Sequence, residues 1–306
     1  MFTTLIVRPI FNLLVFIYAI LPGHNFGLAI IVFTIVVRLL MWPLVKKQLH
    51  HAKAMRELQP ELKRIKQASK GNKQQESMMI MELYKERQIN PFSSLGIVLL
   101  QLPILIGLYA GLKKIVVDPE AILTFSYPFL RNLSWMKQLS SNIHLFDGTL
   151  FGVVNLTRAA LGKNGSIYLP AMVIVLGSAA GQYFQTKQLM PNNKESKSLR
   201  NILKDAGKGR QADQGEVNAA VGRTTRYFIP AMIFLFTVNI ASALPLYWLA
   251  GSIVAYIQQA RVLNQDETEM VQVVEKSATN AKEVEGEVLP PAKKAKKSST
   301  KKRRKR

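Results

Sequence analysis

Long apolar runs alternate along this chain with polar segments rich in lysine and arginine. A run of about twenty apolar residues is long enough to cross a hydrocarbon core about 30 Å thick as a helix. The pattern predicts five such spans, at about residues 26–45, 93–112, 167–186, 226–241 and 245–261. The fourth is short, so either it begins earlier or the bilayer is thinner there. The predicted fold class is an all-α polytopic membrane protein, with a five-helix transmembrane core in residues 25–262.

The N-terminal residues 1–24 form a separate predicted element. Between Arg8 and Pro22 lie about thirteen mostly apolar residues. A run of that length is more typical of a helix in the membrane interface than of a span. We therefore predict an interfacial amphipathic helix here, with a sixth span as the alternative.

Residues 46–90 show helical periodicity without the apolarity of a span. Apolar side chains recur at steps of three and four at Met55, Leu58, Leu62 and Ile65, which is typical of an amphipathic helix. A turn signal at residues 71–72 precedes a second helical run. The pattern predicts a charged helical hairpin on the cytoplasmic side of the membrane. Sequence alone favours a solvated pair of helices; a methionine-rich docking surface is the alternative.

The distribution of charge orients the chain. It carries 41 Lys and Arg against 19 Asp and Glu, a net charge of +22. Basic residues number 11 in 46–90, 9 in 187–226 and 13 in 261–306, but 6 in 113–166. Cytoplasmic loops carry the excess of Lys and Arg, which predicts that 113–166 lies outside. Five spans require the same alternation, with the N-terminus outside and the C-terminus in the cytoplasm.

Residues 263–306 are predicted to form a disordered basic cytoplasmic tail. The tail ends in six consecutive basic residues, Lys301, Lys302, Arg303, Arg304, Lys305 and Arg306. Such a run attracts polyanions, so it is a candidate for binding anionic lipid headgroups or the phosphates of ribosomal RNA. A solubilising tail with no single partner is the third interpretation.

The sequence contains none of the motifs that would indicate an enzyme. It has no cysteine, which excludes disulfides, cysteine zinc sites and thiol nucleophiles. No phosphate-binding loop, zinc-protease motif or nucleophile elbow is present. No acidic residue lies inside a predicted span, which disfavours a carboxylate-based ion pump. We therefore expect no catalytic residues, no metal and no cofactor.

Arg38 is the one charge in the interior of a predicted span, since Arg226 and Arg261 stand at span ends. An arginine at the centre of a span costs about 2.5–3.5 kcal/mol on insertion scales, and such residues usually face a helix bundle or a wet cavity. One interpretation is an arginine that reaches the cytoplasmic headgroups. The other is a cation that attracts a transient anion in a hydrated groove. Four amide residues are candidates to line the same groove: Gln101, Gln182, Gln185 and Asn239.

Several segments resemble the YidC/Oxa1/Alb3 family of membrane protein insertases. The resemblance covers about residues 5–262 and lies in segments 37–44, 55–62, 83–91, 101–104 and 246–248. It implies a five-helix core with a hydrophilic groove that is open to the cytoplasm and to lipid. Arg38 matches the family's intramembrane arginine, and Gln101, Gln182 and Trp248 match groove-lining positions.

The resemblance also implies a function, a location and partners. The chain would insert nascent membrane proteins into the inner (plasma) membrane and help them fold, without nucleotide hydrolysis. Its expected partners are nascent membrane proteins, the ribosome, a Sec translocon and the lipid bilayer. The competing hypotheses are a small-solute or anion channel lined by Arg38 and the glutamines, and a membrane anchor that tethers ribosomes.

Overall fold

The computed structural model describes residues 1–69, 72–87, 93–189, 200–201, 204 and 214–285. These residues are mostly helical, as the apolar runs predict. The helices are α1 (Arg8–Ile20), α2 (Phe26–Leu40), α3 (Trp42–Glu57), α4 (Gln59–Ala68), α5 (Lys73–Glu86), α6 (Ser93–Val117), α7 (Ala121–Thr124), α8 (Pro128–Arg131), α9 (Ser134–Ser141), α10 (Leu169–Leu189), α11 (Gln214–Thr237) and α12 (Ala243–Glu285). A π-helical turn (Thr3–Val7) precedes α1, and a 3₁₀ turn (Ile143–Leu145) follows α9. Strands β1 (Thr149–Leu150) and β2 (Val154–Asn155) pair as an antiparallel hairpin.

The chain divides into two compact units, Met1–Leu263 and Asn264–Arg306. The core of the first unit is built mainly from α1, α2, α6 and the segment between α6 and β2, together with the start of α12. In the second unit, the last helix continues through Glu285, where the sequence predicts a disordered tail. Residues 252–285 contain neither glycine nor proline, so no helix-breaking residue interrupts it before Gly286. The basic residues 301–306 lie outside the described residues.

Helix α1 packs closely against α6. Its buried side chains include Phe11, Leu14 and Tyr18, which lie on one face at helical spacing. Two glycines of α6 permit the approach. A Cβ added at Gly107 would lie 2.6 Å from Ile10 Cδ1, and one at Gly111 would lie 3.3 Å from Phe11 Cδ2. The N-terminal helix is therefore part of the packed unit.

The first predicted core span, residues 26–45, is not one straight helix. Helix α2 ends at Leu40 and α3 begins at Trp42, with a bend of 58° between Phe26–Leu40 and Trp42–His50. Pro43 explains the break, because proline lacks an N–H group and its ring clashes with the carbonyl four residues earlier. The carbonyl of Arg38, in the last turn of α2, accepts a hydrogen bond from Gln258 Nε2 at 3.2 Å.

Two helices follow α3 within the segment that the sequence predicts as a hairpin. Asn72 caps α5, because its Oδ1 accepts a hydrogen bond from Gln75 N at 3.2 Å. Arg87 Nη2 lies 2.8 Å from Glu61 Oε1 and joins the end of α5 to the start of α4. Gly71, the other residue of the predicted turn, lies outside the described residues.

The segment between α6 and α10 contacts the N-terminal ends of α2 and α12. Asn25 Oδ1 accepts from Leu28 N at 3.0 Å and begins α2. Asn25 Nδ2 in turn donates to Asp147 Oδ2 at 2.7 Å. At the start of α12, Ser242 N donates to the Arg158 carbonyl at 3.0 Å and Ala243 N donates to the Leu156 carbonyl at 3.1 Å. The first N–H groups of a helix have no partner within it, and this segment supplies one.

The later helices are longer than the predicted spans 167–186, 226–241 and 245–261. Helix α11 begins at Gln214, twelve residues before the predicted start, so the short fourth span belongs to a longer helix. Pro230 lies inside α11 and Pro103 inside α6, yet both helices continue through the proline.

Length and apolarity identify one helix of the described residues as able to cross a membrane. It is Thr3–Ile20, which combines the π-helical turn with α1. The bent pair Phe26–Leu40 and Trp42–His50 is a second candidate if its two halves form one broken span. The five spans at the predicted bounds stay a prediction.

Candidate functional site

A cavity of about 290 Å³ lies between α2 and α3 on one side and α6, α10 and α12 on the others. We call it the central cavity. Its wall mixes apolar side chains with amides, hydroxyls and one cation. It is lined by Arg38, Met41, Val45, Gln48, Leu49, Gln101, Leu102, Leu105, Gln182, Gln185, Tyr247, Trp248, Gly251, Ser252, Ala255 and Gln259.

Arg38 reaches the central cavity from the last turn of α2. A Cβ added at Gly251 would lie 3.4 Å from Arg38 Nη2 and 3.8 Å from Nε. The guanidinium group therefore lies against the backbone of α12, at a position where the neighbouring residue has no side chain. None of the described residues that line the cavity is an Asp or Glu. The cavity thus holds a cation without a carboxylate in its wall.

Hydrogen bonds fix some of the polar side chains of the cavity. Gln101 Nε2 on α6 donates to the Tyr247 hydroxyl on α12 at 3.0 Å. This bond joins two walls of the cavity and orients the Gln101 amide. On α10, Gln182 Nε2 donates to Thr186 Oγ1 at 3.3 Å, one turn further along the helix.

All four residues predicted for the groove, Arg38, Gln101, Gln182 and Trp248, line the central cavity. Gln185 also lines it, three residues after Gln182 and on the same face of α10. That a substrate binds these residues stays a prediction. Asn239, a further candidate from the sequence, is different. It is an exposed residue in the turn between α11 and α12 and does not line the cavity.

Sequence reasoning missed most of the wall that α12 contributes. Tyr247, Gly251, Ala255 and Gln259 follow one another at steps of four, and Ser252 lies four residues after Trp248. Residues four apart share one face of a helix. Extending that spacing from Trp248 would have found Ser252. Gly251 gives no such signal, because only the neighbouring arginine shows why a glycine is needed there.

The central cavity is suited to receive a polar or anionic group, not to perform covalent chemistry. Its amides and hydroxyls donate and accept hydrogen bonds, and its guanidinium group attracts negative charge. Among the described residues, no cluster of three His, Asp or Glu side chains could hold a metal ion.

The described residues thus form a mostly helical protein with a polar cavity between its helices. The model of the family described as 60Kd inner membrane protein matches residues 16–269. The chain therefore belongs to the YidC/Oxa1/Alb3 family of membrane protein insertases, which are embedded in membranes.

Individual relatives agree with this assignment. The chain is 29% identical over 265 residues to membrane protein insertase MisCA of Bacillus subtilis. The alignment covers 85% of this chain and 78% of the relative. It is 26% identical over 241 residues to membrane protein insertase YidC of Fusobacterium nucleatum, covering 79% and 87%. Inner membrane protein ALBINO3 of Arabidopsis thaliana is 27% identical over 242 residues, covering 77% of this chain and 46% of the relative.

Proposed function

We propose that this protein inserts nascent membrane proteins and helps them fold, and that the central cavity receives the part of the substrate that must cross the membrane. The observation that carries the proposal is Arg38, a cation at a cavity whose described wall contains no carboxylate. A permanently paired arginine would have little attraction left for a substrate. This one is available to an acidic residue in the translocated tail.

The insertion step needs no nucleotide in this proposal. The amides of Gln101, Gln182 and Gln185 replace water around the polar tail as it enters the cavity. A hydrated cavity shortens the apolar barrier that polar backbone must otherwise cross without hydrogen-bond partners. The apolar segment of the substrate then moves into lipid, and the burial of its side chains drives the step.

We infer that the N-terminal helix lies in the membrane interface. Near its start, the Arg8 guanidinium lies 5.2 Å from the centre of the Tyr127 ring. Near its end, Tyr18 makes an edge contact with Phe146 at 5.8 Å. Ten residues of helix separate these contacts, about 15 Å at 1.5 Å per residue. One connecting segment thus follows most of the helix, as expected for a helix parallel to the surface on which that segment lies.

The other regions take supporting roles in the proposal. Five spans, with the N-terminus outside and the C-terminus in the cytoplasm, place the hairpin 46–90 on the side where nascent chains arrive. The exposed methionines Met78 and Met81 of α5 suit contact with varied apolar segments. The basic residues 301–306 would hold the ribosome, and a Sec translocon is a further candidate partner.

The proposal is tested by replacing Arg38 in a strain depleted of its own insertase. We expect Arg38→Ala to slow insertion of a substrate with an acidic translocated tail by about tenfold, equivalent to ~1.4 kcal/mol of lost attraction. Arg38→Lys should retain much of the activity, because it keeps the charge. A substrate with a neutral tail is the matched control and should lose less.

Equal insertion of the acidic substrate by the wild-type protein and Arg38→Ala would contradict the charge-attraction model. Under the ribosome-anchor hypothesis, the protein would tolerate Arg38→Ala but not loss of its basic tail. The two variants therefore separate the two functions.

A further inference from the structure

The β-hairpin between α9 and α10 carries an unusual turn. Val153 N donates to the Leu150 carbonyl at 3.1 Å and closes the turn. Both residues between them have positive φ, 51° at Phe151 and 70° at Gly152. Glycine adopts this conformation freely, but for a bulky residue it is an outlier. Asparagine or aspartate is the usual residue before glycine in such turns, so Phe151 stands here against its backbone preference.

The side chains around this turn are apolar and exposed. Phe151 is 65% exposed and Val153 is 73% exposed. Residues 148–157 carry no charge. The Tyr168 hydroxyl accepts a hydrogen bond from Asn155 N at 3.0 Å. The two neighbours of Tyr168 in the chain, Ile167 and Leu169, are also exposed, at 61% and 70%. The turn and the start of α10 thus present a group of large apolar side chains.

The hairpin is fixed at the ends of several helices. A Cβ added at Gly27, in the first turn of α2, would lie 2.8 Å from Leu150 Cα, so the hairpin backbone touches that turn directly. Ser242 Oγ, beside the first residue of α12, donates to the Asn155 carbonyl at 3.2 Å. Under the proposed spans, these helix ends lie at the outer surface of the membrane, and they hold the hairpin at that level.

We propose that the tip of this hairpin, Phe151 to Val153, inserts into the outer interface of the lipid bilayer. Aromatic side chains are favoured at that depth, and an apolar tip with no charge is suited to the boundary between headgroups and acyl chains. The contact with lipid accounts for a phenylalanine at a position where the backbone alone favours asparagine. Arg158, whose guanidinium lies 4.4 Å from the centre of the Tyr168 ring, places a cation beside the tip, where lipid phosphates lie.

The absence of cysteine from the chain permits a direct test with the full-length protein. Single variants Phe151→Cys, Asn164→Cys and Leu235→Cys are labelled with an environment-sensitive fluorophore. They are reconstituted into vesicles of phosphatidylcholine and phosphatidylglycerol. Quenching by aqueous iodide is compared with quenching by lipids that carry a spin label near the headgroup or near the chain end. Asn164, exposed in a polar turn of the same segment, is the matched control.

We expect the label at residue 151 to be quenched most by the spin label near the headgroup, and several-fold less by iodide than the label at 164. Equal iodide quenching at 151 and 164 would overturn the proposal. Protection at 151 that grows with the protein-to-lipid ratio would indicate contact with a second copy and would also overturn it. The inference rests on the proposed spans, and the label at residue 235 tests these separately. If residue 235 lies within a span, lipids with the spin label near the chain end should quench its fluorescence most.

A second variant separates lipid contact from folding. Phe151→Asn relieves the backbone at positive φ, so the protein should unfold at the same or a higher temperature in detergent. A label at Val153→Cys should nevertheless become more accessible to iodide in the Phe151→Asn background. No change in iodide quenching at residue 153 would contradict a role for Phe151 in holding the tip in lipid.

Discussion

At the scale of single residues, Arg38 and Gly251 depend on one another. The guanidinium group lies against α12 because position 251 has no side chain. The amides and hydroxyls around it supply hydrogen bonds but no negative charge. An arginine within a membrane usually faces a bundle interior or a wet cavity, and the proposed spans would place Arg38 in such a position. Under the proposed function, its charge is available to an acidic residue of the substrate.

The bond between Gln101 and Tyr247 can be measured at this scale. We expect Tyr247→Phe to lower the free energy of unfolding by about 1 kcal/mol, because it leaves Gln101 Nε2 without its acceptor. Adding Gln101→Leu should recover part of the loss, with a coupling energy of about 0.5–1.5 kcal/mol. Chemical unfolding in mixed micelles, followed by tryptophan fluorescence, gives the double-mutant cycle. Strictly additive effects of the two substitutions would show that the bond does not contribute.

At the scale of elements, helix ends and the bend between α2 and α3 shape the site. Because of the bend at Met41, residues on both sides of it line the cavity: Arg38 on α2, and Gln48 and Leu49 on α3. Pro43 causes the bend through its missing N–H group, and Gln258 stabilises it by donating to the Arg38 carbonyl. A straight helix from residue 26 to residue 45 would not have turned α3 toward α6 in this way.

Asp147 joins the start of α2 to the β-hairpin. Besides Asn25 Nδ2, its carboxylate accepts from Thr149 N at 3.0 Å and from Thr149 Oγ1 at 2.6 Å. We expect Asp147→Ala to lower the free energy of unfolding by about 2 kcal/mol, because several hydrogen bonds to a charged group are lost together. Asp118→Ala is the matched control, since the exposed Asp118 caps one nearby N–H group and its loss should cost less. A loss no larger than the control's, measured by thermal unfolding in detergent, would contradict this role.

At the scale of the whole molecule, the distribution of charge predicts the orientation of the chain and its docking surfaces. The net charge of +22 is concentrated in three segments that alternate with the predicted spans. The segment 113–166 has fewer basic residues and packs along the N-terminal helix. The proposed membrane topology and the proposed ribosome contact both rest on this charge distribution, and both can be tested without altering the central cavity.

The orientation follows from labelling of single cysteines. We expect Asn164→Cys to react with a membrane-impermeant maleimide in intact cells, because segment 113–166 is predicted to lie outside. Gln74→Cys, exposed on α5, should react only after lysis. The reverse pattern would invert the topology and would contradict entry of substrate from the cytoplasm.

Ribosome binding should depend on the basic tail. We expect deletion of residues 290–306 to weaken co-sedimentation with ribosomes, and the remaining binding should depend less steeply on salt, because fewer counterions are released from RNA. A tail of equal length with every Lys and Arg replaced by Gln is the control for length. Undiminished binding by both variants would reject the tail as the ribosome contact.

The sequence by itself determined the helical class, the resemblance to the family and the candidate residues that line the central cavity. Apolar runs and charge asymmetry depend on local composition, so they are readable without coordinates. Arg38 is recognisable because charge is costly in an apolar run. Gln101, Gln182 and Trp248 were named by resemblance, although they are far apart in the chain.

Only the tertiary structure decided which side chains meet and where the helices end. The early start of α11 depends on packing. Pro43 marks a break after α2 in the sequence, but the size of the bend and its bond from Gln258 are known only from the folded chain. The wall contributed by Gly251, Ser252 and Gln259 exists because α12 packs beside Arg38. The exposed turn at Phe151 is likewise invisible in the sequence, because the sign of φ is a property of the folded backbone. Long-range contact, unlike local composition, is fixed only when the whole chain is folded.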